Sequence, residues 1–275
     1  MNNLKYRSQK NAEAAAKYWN KPLDKSDWYK IENLSDESAE VMIYDVIGWP
    51  FNDASELVRS LAGMTAKTIT VRINSPGGDV FDAVSIFNAL QSHKSKVTTR
   101  NEGLAASAAS FLLLSGKEVQ AYPNTMLMIH DPWVCVAGNQ YELRETADIL
   151  EKLAGQMVDI YAGNSNIGKK EVREMMKAET WFTAKEAKEK GLVDTIIDGK
   201  AAKAQFDLSM FAHTPEGFTA EAHDEPTIRK YEKALRDAGA SKNEARAILA
   251  RGLKSVTCEE DVLAAQNLLK IIGGK

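Results

Sequence analysis

The sequence predicts an α/β domain with a largely parallel sheet, joined to a small all-helical appendage on its C-terminal side. Three observations point there. Between residues 40 and 198, short apolar runs of strand character alternate with amphipathic stretches at helical spacing, the rhythm of β/α/β units. The alternating run Thr68-Ile69-Thr70-Val71-Arg72-Ile73 passes straight into Asn74-Ser75-Pro76-Gly77-Gly78, a composition that turns a strand into a helix. Beyond Asp198 the periodicity lapses: Lys200 to His223 reads as a linker carrying Pro215 and Gly217. Three short helices follow, punctuated by Pro226 and Gly239, by Ser241 with Glu244 and Gly252, and by Thr257 with Glu260 and Gly273.

The earlier elements follow in order. Residues 1–38 are charged and poor in apolar side chains apart from Trp19, Trp28 and Tyr29, and form an arm over the domain or a removable leader. Glu40 to Gly48 is a strand, and Asn52 to Leu61 a helix opened by an Asn or Asp cap. After the glycine turn, Val80, Ala83, Val84, Phe87 and Leu90 share one helix face. Lys96 to Arg100 is a strand. A tight turn at Gly103 then leads to a helix over Ala105–Leu114, with Ser107 just inside it. Met126-Leu127-Met128-Ile129 is a buried strand that ends at His130 and is stopped by Pro132. Gln140 to Tyr161 is the longest helix, striped by Leu143, Ala147, Leu150, Ala154, Met157 and Tyr161. The resulting boundaries are an arm at 1–38, a main domain at 39–199, a linker at 200–224 and a helical appendage at 225–275.

Composition narrows the function classes. With 275 residues, 44% apolar and 27% charged, the chain can bury one large core and an appendage. A net charge of −3 argues against nucleic acid or an anionic membrane as the main partner. Cys135 and Cys258 lie far apart without metal-ligand spacing, which fits a reducing compartment and no metal. Residues 1–20 lack the apolar stretch of a signal peptide and no run reaches membrane-spanning length, so a cytoplasmic location is expected. Gly163-Asn164-Ser165-Asn166-Ile167-Gly168-Lys169-Lys170 imitates a phosphate-binding loop. It lacks the final Ser or Thr and follows a helix where a strand is required, so nucleotide binding is rejected and no cofactor is expected.

Two residue types carry chemistry. Ser107 lies among side chains too small to obstruct it, at the start of a helix whose backbone N–H groups and dipole favour a developing oxyanion. Of His93, His130, His213 and His223, only His130 stands at the end of a core strand, where an imidazole is held yet able to reach a neighbour. A hydroxyl and an imidazole on adjacent strand ends make a nucleophile and its base.

The blocks Ile73-Asn74-Ser75-Pro76-Gly77-Gly78, Gly103-Leu104-Ala105-Ala106-Ser107, Met128-Ile129-His130-Asp131-Pro132, and Ala184-Lys185-Glu186-Ala187 with Gly191-Leu192-Val193-Asp194 resemble the Clp protease proteolytic subunit. The likeness is greater still to phage head-maturation (prohead) proteases, and it covers about residues 40 to 198. It implies a Clp/crotonase-like β/β/α spiral and a serine endopeptidase. The helix at 140–161 would then be the handle that pairs subunits of stacked homo-oligomeric rings. Catalytic Ser107 and His130, with an oxyanion hole made by the N–H groups of Gly78 and Ala108, follow from the same resemblance. The aspartate that orients the histidine in the family falls on Met175, which cannot do so. Glu179 takes its place as first choice, with Glu174, Asp131 or no acid at all as alternatives. Substrates would be capsid or scaffold proteins, met in the host cytoplasm or inside the prohead, and the appendage would address the enzyme to them. A conventional proteolytic subunit served by a separate Clp-type ATPase, a crotonase-like acyl-CoA enzyme and a catalytically dead assembly module are the competing readings.

Overall fold

The computed structural model describes residues 9–19, 21, 23, 28–134, 136, 138–199, 206, 208 and 210–215. The helical appendage expected at 225–275 lies outside the described residues, as do Cys135, Cys258 and His223.

The chain enters through helix α1 (Gln9–Tyr18) and strand β1 (Tyr29–Asn33), then alternates. β2 (Ser38–Tyr44), α2 (Ala54–Ala62), β3 (Thr68–Ser75) and α3 (Val80–Gln91) come first. β4 (Lys96–Ala106), α4 (Ala108–Leu113), β5 (Glu118–Ala121) and β6 (Met126–Ile129) follow. α5 (Gln140–Gly163), α6 (Lys169–Lys177), β7 (Thr180–Thr183), α7 (Ala184–Glu189) and β8 (Thr195–Ile196) complete the set. The strands make one eight-stranded sheet in the order β1-β2-β3-β4-β5-β8, from which β6 and β7 branch at β4. Pairing is parallel from β2 through β3, β4 and β5 to β8, and between β4 and β6. Only β1 against β2 and β7 against β6 run antiparallel. This is the mixed α/β spiral expected from the sequence, with an edge strand supplied by residues read as part of the arm.

Period-2 burial explains the sheet. Ala39, Val41 and Ile43 of β2 and Ile69, Val71 and Ile73 of β3 all face the core. The opposite face carries polar side chains: Arg72 of β3 bonds Glu40 and the buried Glu102, and Tyr44 donates to Glu102 as well. Helix α2 is opened by Asp53, which accepts from the Ser55 N–H, and sends Leu57 and Leu61 inward. Truncating a leucine buried so completely costs about 2–5 kcal/mol.

Strand β4 is the hinge of the spiral. Its first half, Thr98–Asn101, pairs with β5, and its last three residues, Leu104–Ala106, pair with β6. The ladder is interrupted between the halves, and two buried amides close the gap. Asn74 Oδ1 accepts the Leu104 N–H at 3.0 Å, while Asn101 accepts from the Gly103 N–H and donates to the Met126 carbonyl. Residues 103–106 are therefore strand, where the sequence reading placed a turn and the start of a helix. An apolar run of this length fits either element, and here pairing to β3 and β6 decides it.

Helix α5 has two unlike halves. Ala154, Met157, Val158 and Tyr161 are buried, but Tyr141, Leu143 and Ile149 are exposed, so the inner stripe holds only over the second half. A capping box of Asn139 and Glu142 secures the projecting end. Gly163 is the last residue of α5 and Lys169 the first of α6, so the imitation phosphate loop joins two helices. Among the described residues no helix is long and apolar enough to cross a membrane.

Candidate active site

β4 and β6 lie side by side and parallel, with Ala106 opposite Met128, so their carboxyl ends open at the same place. Ser107 follows the first strand and His130 the second. Ser107 is the N-cap of α4, with φ 52° and ψ −126°, rather than a residue of the helix. A non-glycine residue at positive φ is strained, and a sharp strand-to-helix turn of this kind lifts a hydroxyl clear of its own backbone. The surroundings hold the strain in place. The Ser107 N–H donates to the Met128 carbonyl at 2.9 Å. Its carbonyl accepts both the Ser110 N–H at 2.9 Å and the Ser110 hydroxyl at 2.6 Å. Ser110 Oγ in turn lies 2.6 Å from the hydroxyl of fully buried Tyr161.

His130 Nε2 stands 2.7 Å from Ser107 Oγ. The two residues are 9% and 8% exposed, so the pair lies under cover. Burial pushes the imidazole down to about 4, against a smaller opposing pull from the negative charge of Glu179. The ring is thus neutral near neutral pH, and Nε2 is free to accept the serine proton.

The glycine turn lies directly against Ser107. Gly77 has φ +108°, and a Cβ there would lie 2.7 Å from Ser107 Cβ. Gly78 has φ +152° and is pressed on Ile47, whose carbonyl oxygen would lie 2.1 Å from an added Cβ. Only glycine satisfies both the conformation and the contact. Ile47 N–H to Gly77 O and Asp79 N–H to Ile47 O, each 2.8 Å, pin the turn on either side. Among the described residues neither the Gly78 nor the Ala108 N–H has an acceptor, so both remain available to a ligand.

The four positions considered for the acid are spread differently. Met175 is partly buried against the main core. Glu174 is exposed beside Lys177 at 3.6 Å. Asp131 follows His130 directly, but its Oδ1 is buried without a hydrogen bond and lies 4.0 Å from Arg173; burial raises its pKa. Glu179, at φ +50°, makes no hydrogen bond to His130. Its carboxylate accepts the Trp181 Nε1–H at 3.3 Å and the N–H groups of Ala212 and His213 at 2.9 and 2.7 Å.

Those last contacts belong to a feature the sequence reading assigned to a linker. β4 and β6 turn Ala105, Leu127 and Ile129 toward the main core, and Leu104, Ala106, Met126 and Met128 toward a second one. The second core is closed by Leu208 and Phe211, with Trp19, Trp181, Phe206 and Met210 at its margin. Phe211 meets the His130 ring edge-on, with centroids 5.7 Å apart. Sequence reasoning also passed over Ser110, Asn74 and Asn101. For Ser110 and Asn74 the signal was a polar side chain inside an apolar or glycine-rich stretch, where it must find a partner; Asn101, between Arg100 and Glu102, carried none.

A sequence profile of the Clp protease family matches residues 24–200. The ATP-dependent Clp protease proteolytic subunit of Bacteroides thetaiotaomicron is 35% identical over 133 residues, which is 48% of this chain and 60% of that protein. The corresponding protein of Bacteroides fragilis is 35% identical over 133 residues, covering 48% and 64%. The ATP-dependent Clp protease proteolytic subunit 3 of Rhodococcus jostii is 31% identical over 149 residues, covering 54% and 74%. The chain thus spans 60% and 64% of the length of the two Bacteroides relatives.

Proposed function

Because the chain belongs to the Clp protease family, we propose that it is a serine endopeptidase in which Ser107 is the nucleophile and His130 the general base. The observation that carries this reading is the 2.7 Å approach of Ser107 Oγ to His130 Nε2 at the ends of two parallel strands. Ser107 Oγ attacks a peptide carbonyl while its proton passes to Nε2. The Gly78 and Ala108 N–H groups receive the oxyanion. The tetrahedral adduct then collapses, the C–N bond breaks and the imidazolium returns its proton to the departing amine. Water, deprotonated by the same ring, releases the acyl group. Glu179 acts through its charge, which favours the imidazolium formed during each step and is the part of the site closest to a third member.

Within that class we assign the chain to phage head maturation, with capsid or scaffold protein as substrate, acting in the host cytoplasm or inside the prohead. Support comes from the departure at Met175 and from the 75 residues that follow the match to the family at residue 200. The order of arm, protease domain, linker and helical appendage is part of this proposal, with β1 (Tyr29–Asn33) of the arm pairing to the sheet edge and Leu208 and Phe211 of the linker packed on β4 and β6. The exposed Tyr141, Leu143 and Ile149 on α5 support a homo-oligomer paired through this helix, as in stacked rings. A conventional proteolytic subunit working with a Clp-type ATPase is the second reading, favoured by the likeness to the Bacteroides proteins.

Co-expression of wild type and Ser107→Ala with the capsid or scaffold protein, followed by intact-mass analysis, tests the assignment. Processing confined to the wild type is expected, and identical masses in both samples refute the proteolytic reading. Tight binding of an unfoldase ATPase to assembled rings selects the conventional subunit. Failure of a fluorophosphonate to label Ser107 selects a crotonase-like or purely structural role.

A further inference from the structure

We propose that Phe206, Leu208 and residues 210–214 act as an intramolecular strap that occupies the substrate face of the site and keeps the enzyme latent. The proposal rests on the hydrolase reading of Ser107 and His130 and adds a regulatory element to it. An endopeptidase must lay an extended peptide against the strand ends that carry its nucleophile. Here that ground is already taken. Leu208 and Phe211 are 1% and 6% exposed, sunk into the outer face of β4 and β6. The Phe211 ring stands edge-on to His130, and Ser107 is 8% exposed.

The strap is also latched. Both oxygens of Glu179 accept its backbone, from Ala212 at 2.9 Å and His213 at 2.7 Å, charge-assisted bonds worth roughly twice a neutral one. From the other side the Tyr18 hydroxyl donates to the Met210 carbonyl at 3.4 Å. Two consequences follow from this arrangement. The carboxylate of Glu179, whose charge acts on His130, is engaged in holding the strap, and departure of the strap frees it to serve the imidazole. The face vacated is apolar, lined by Leu104, Ala106, Met126, Met128 and Trp181, so the displacing substrate presents a bulky apolar side chain there.

The test uses the full chain and changes only the strap. Wild type, F211A, A212P and a Ser107→Ala blank are treated with a fluorophosphonate, and the modified fraction is followed by intact mass. In the reaction Ser107 Oγ bonds phosphorus, fluoride leaves and the hydroxyl proton passes to His130. Phe211→Ala removes the ring over the imidazole, and Ala212→Pro removes an N–H that Glu179 accepts. If the open state is a minor population, weakening the strap raises the labelling rate about tenfold or more. A free peptide of residues 206–214 then slows it again. Because labelling requires a formed site, a faster rate cannot arise from unfolding. Wild type labelled as fast as both variants, or a peptide without effect, overturns the strap and leaves Ser107 as the nucleophile. No labelling in any chain overturns the hydrolase reading itself, and the strap with it.

Discussion

The neutral, buried imidazole of His130 sets a measurable dependence of stability on pH. Folding pushes this ring down from its ordinary 6.5 to about 4, chiefly by desolvation. Between those values the unfolded chain binds a proton that the folded chain does not. Stability from this group is therefore complete above 6.5 and is lost as the pH falls toward 4, at up to about 1.4 kcal/mol per pH unit. From about pH 7 to about pH 5 the loss amounts to about 2 kcal/mol. Urea unfolding of wild type and His130→Gln across that range isolates the effect, because Asp131 and every other titrating group are common to both chains. The wild type is expected to lose about 2 kcal/mol relative to the variant over this interval. A difference between the two chains that stays constant to within a few tenths of a kcal/mol would show that the ring is solvated in the folded state, and the argument for a dry, proton-accepting base would fail.

Gly78→Ala places a Cβ 2.1 Å from the Ile47 carbonyl at a positive φ, so the turn must shift and its N–H with it. Peptide hydrolysis should fall about 100-fold or more, the usual consequence of losing an oxyanion donor, and unchanged turnover would remove Gly78 from that role. Ser110→Ala leaves the buried Tyr161 hydroxyl and the Ser107 carbonyl each short of a partner, at a cost of about 1–3 kcal/mol in chemical denaturation. Its kcat should drop more than that of Tyr161→Phe, which keeps the bond to Ser107; equal kcat values would separate this network from the placement of the nucleophile. Ile149→Glu alters an exposed position on the projecting half of α5 and should leave the melting temperature of the protomer intact. Light scattering is expected to report smaller assemblies than wild type, and an unchanged mass would exclude this face from subunit pairing.

The approach of Ser107 to His130 was legible from a lone hydroxyl among small side chains and from an imidazole at the abrupt end of an apolar strand. Their local geometry was less so. Gly103-Leu104-Ala105-Ala106 reads equally as helix or strand, since a segment buried on both faces shows neither period. The positive φ of Ser107 left no trace either, because serine gives no hint of it, whereas Gly77 and Gly78 announce theirs. The stripe of α5 is buried from Ala154 onward, while its first half, through Leu143, is not buried by the protomer. The strap escaped because its anchors are few and distant: Leu208 and Phe211 find their contacts about a hundred residues upstream, beyond the reach of any local periodicity. Glu179 was singled out for its alignment with an acidic position. Nothing in the sequence told that its oxygens would bond the backbone of Ala212 and His213.

The divided allegiance of β4 has a consequence for how such a domain can vary. Its outer half belongs with β5 and β8, its inner half with β6 and β7, and the amides of Asn74 and Asn101 stitch the seam between them. Sliding or lengthening the outer wing is absorbed at that seam. The height of the hydroxyl against the imidazole is set on the inner side, by Ala106 opposite Met128, by the Ser107 N–H on the Met128 carbonyl and by Ser110 on the Ser107 carbonyl. The periphery of the sheet can thus be remodelled or exchanged while Ser107 Oγ and His130 Nε2 keep their spacing.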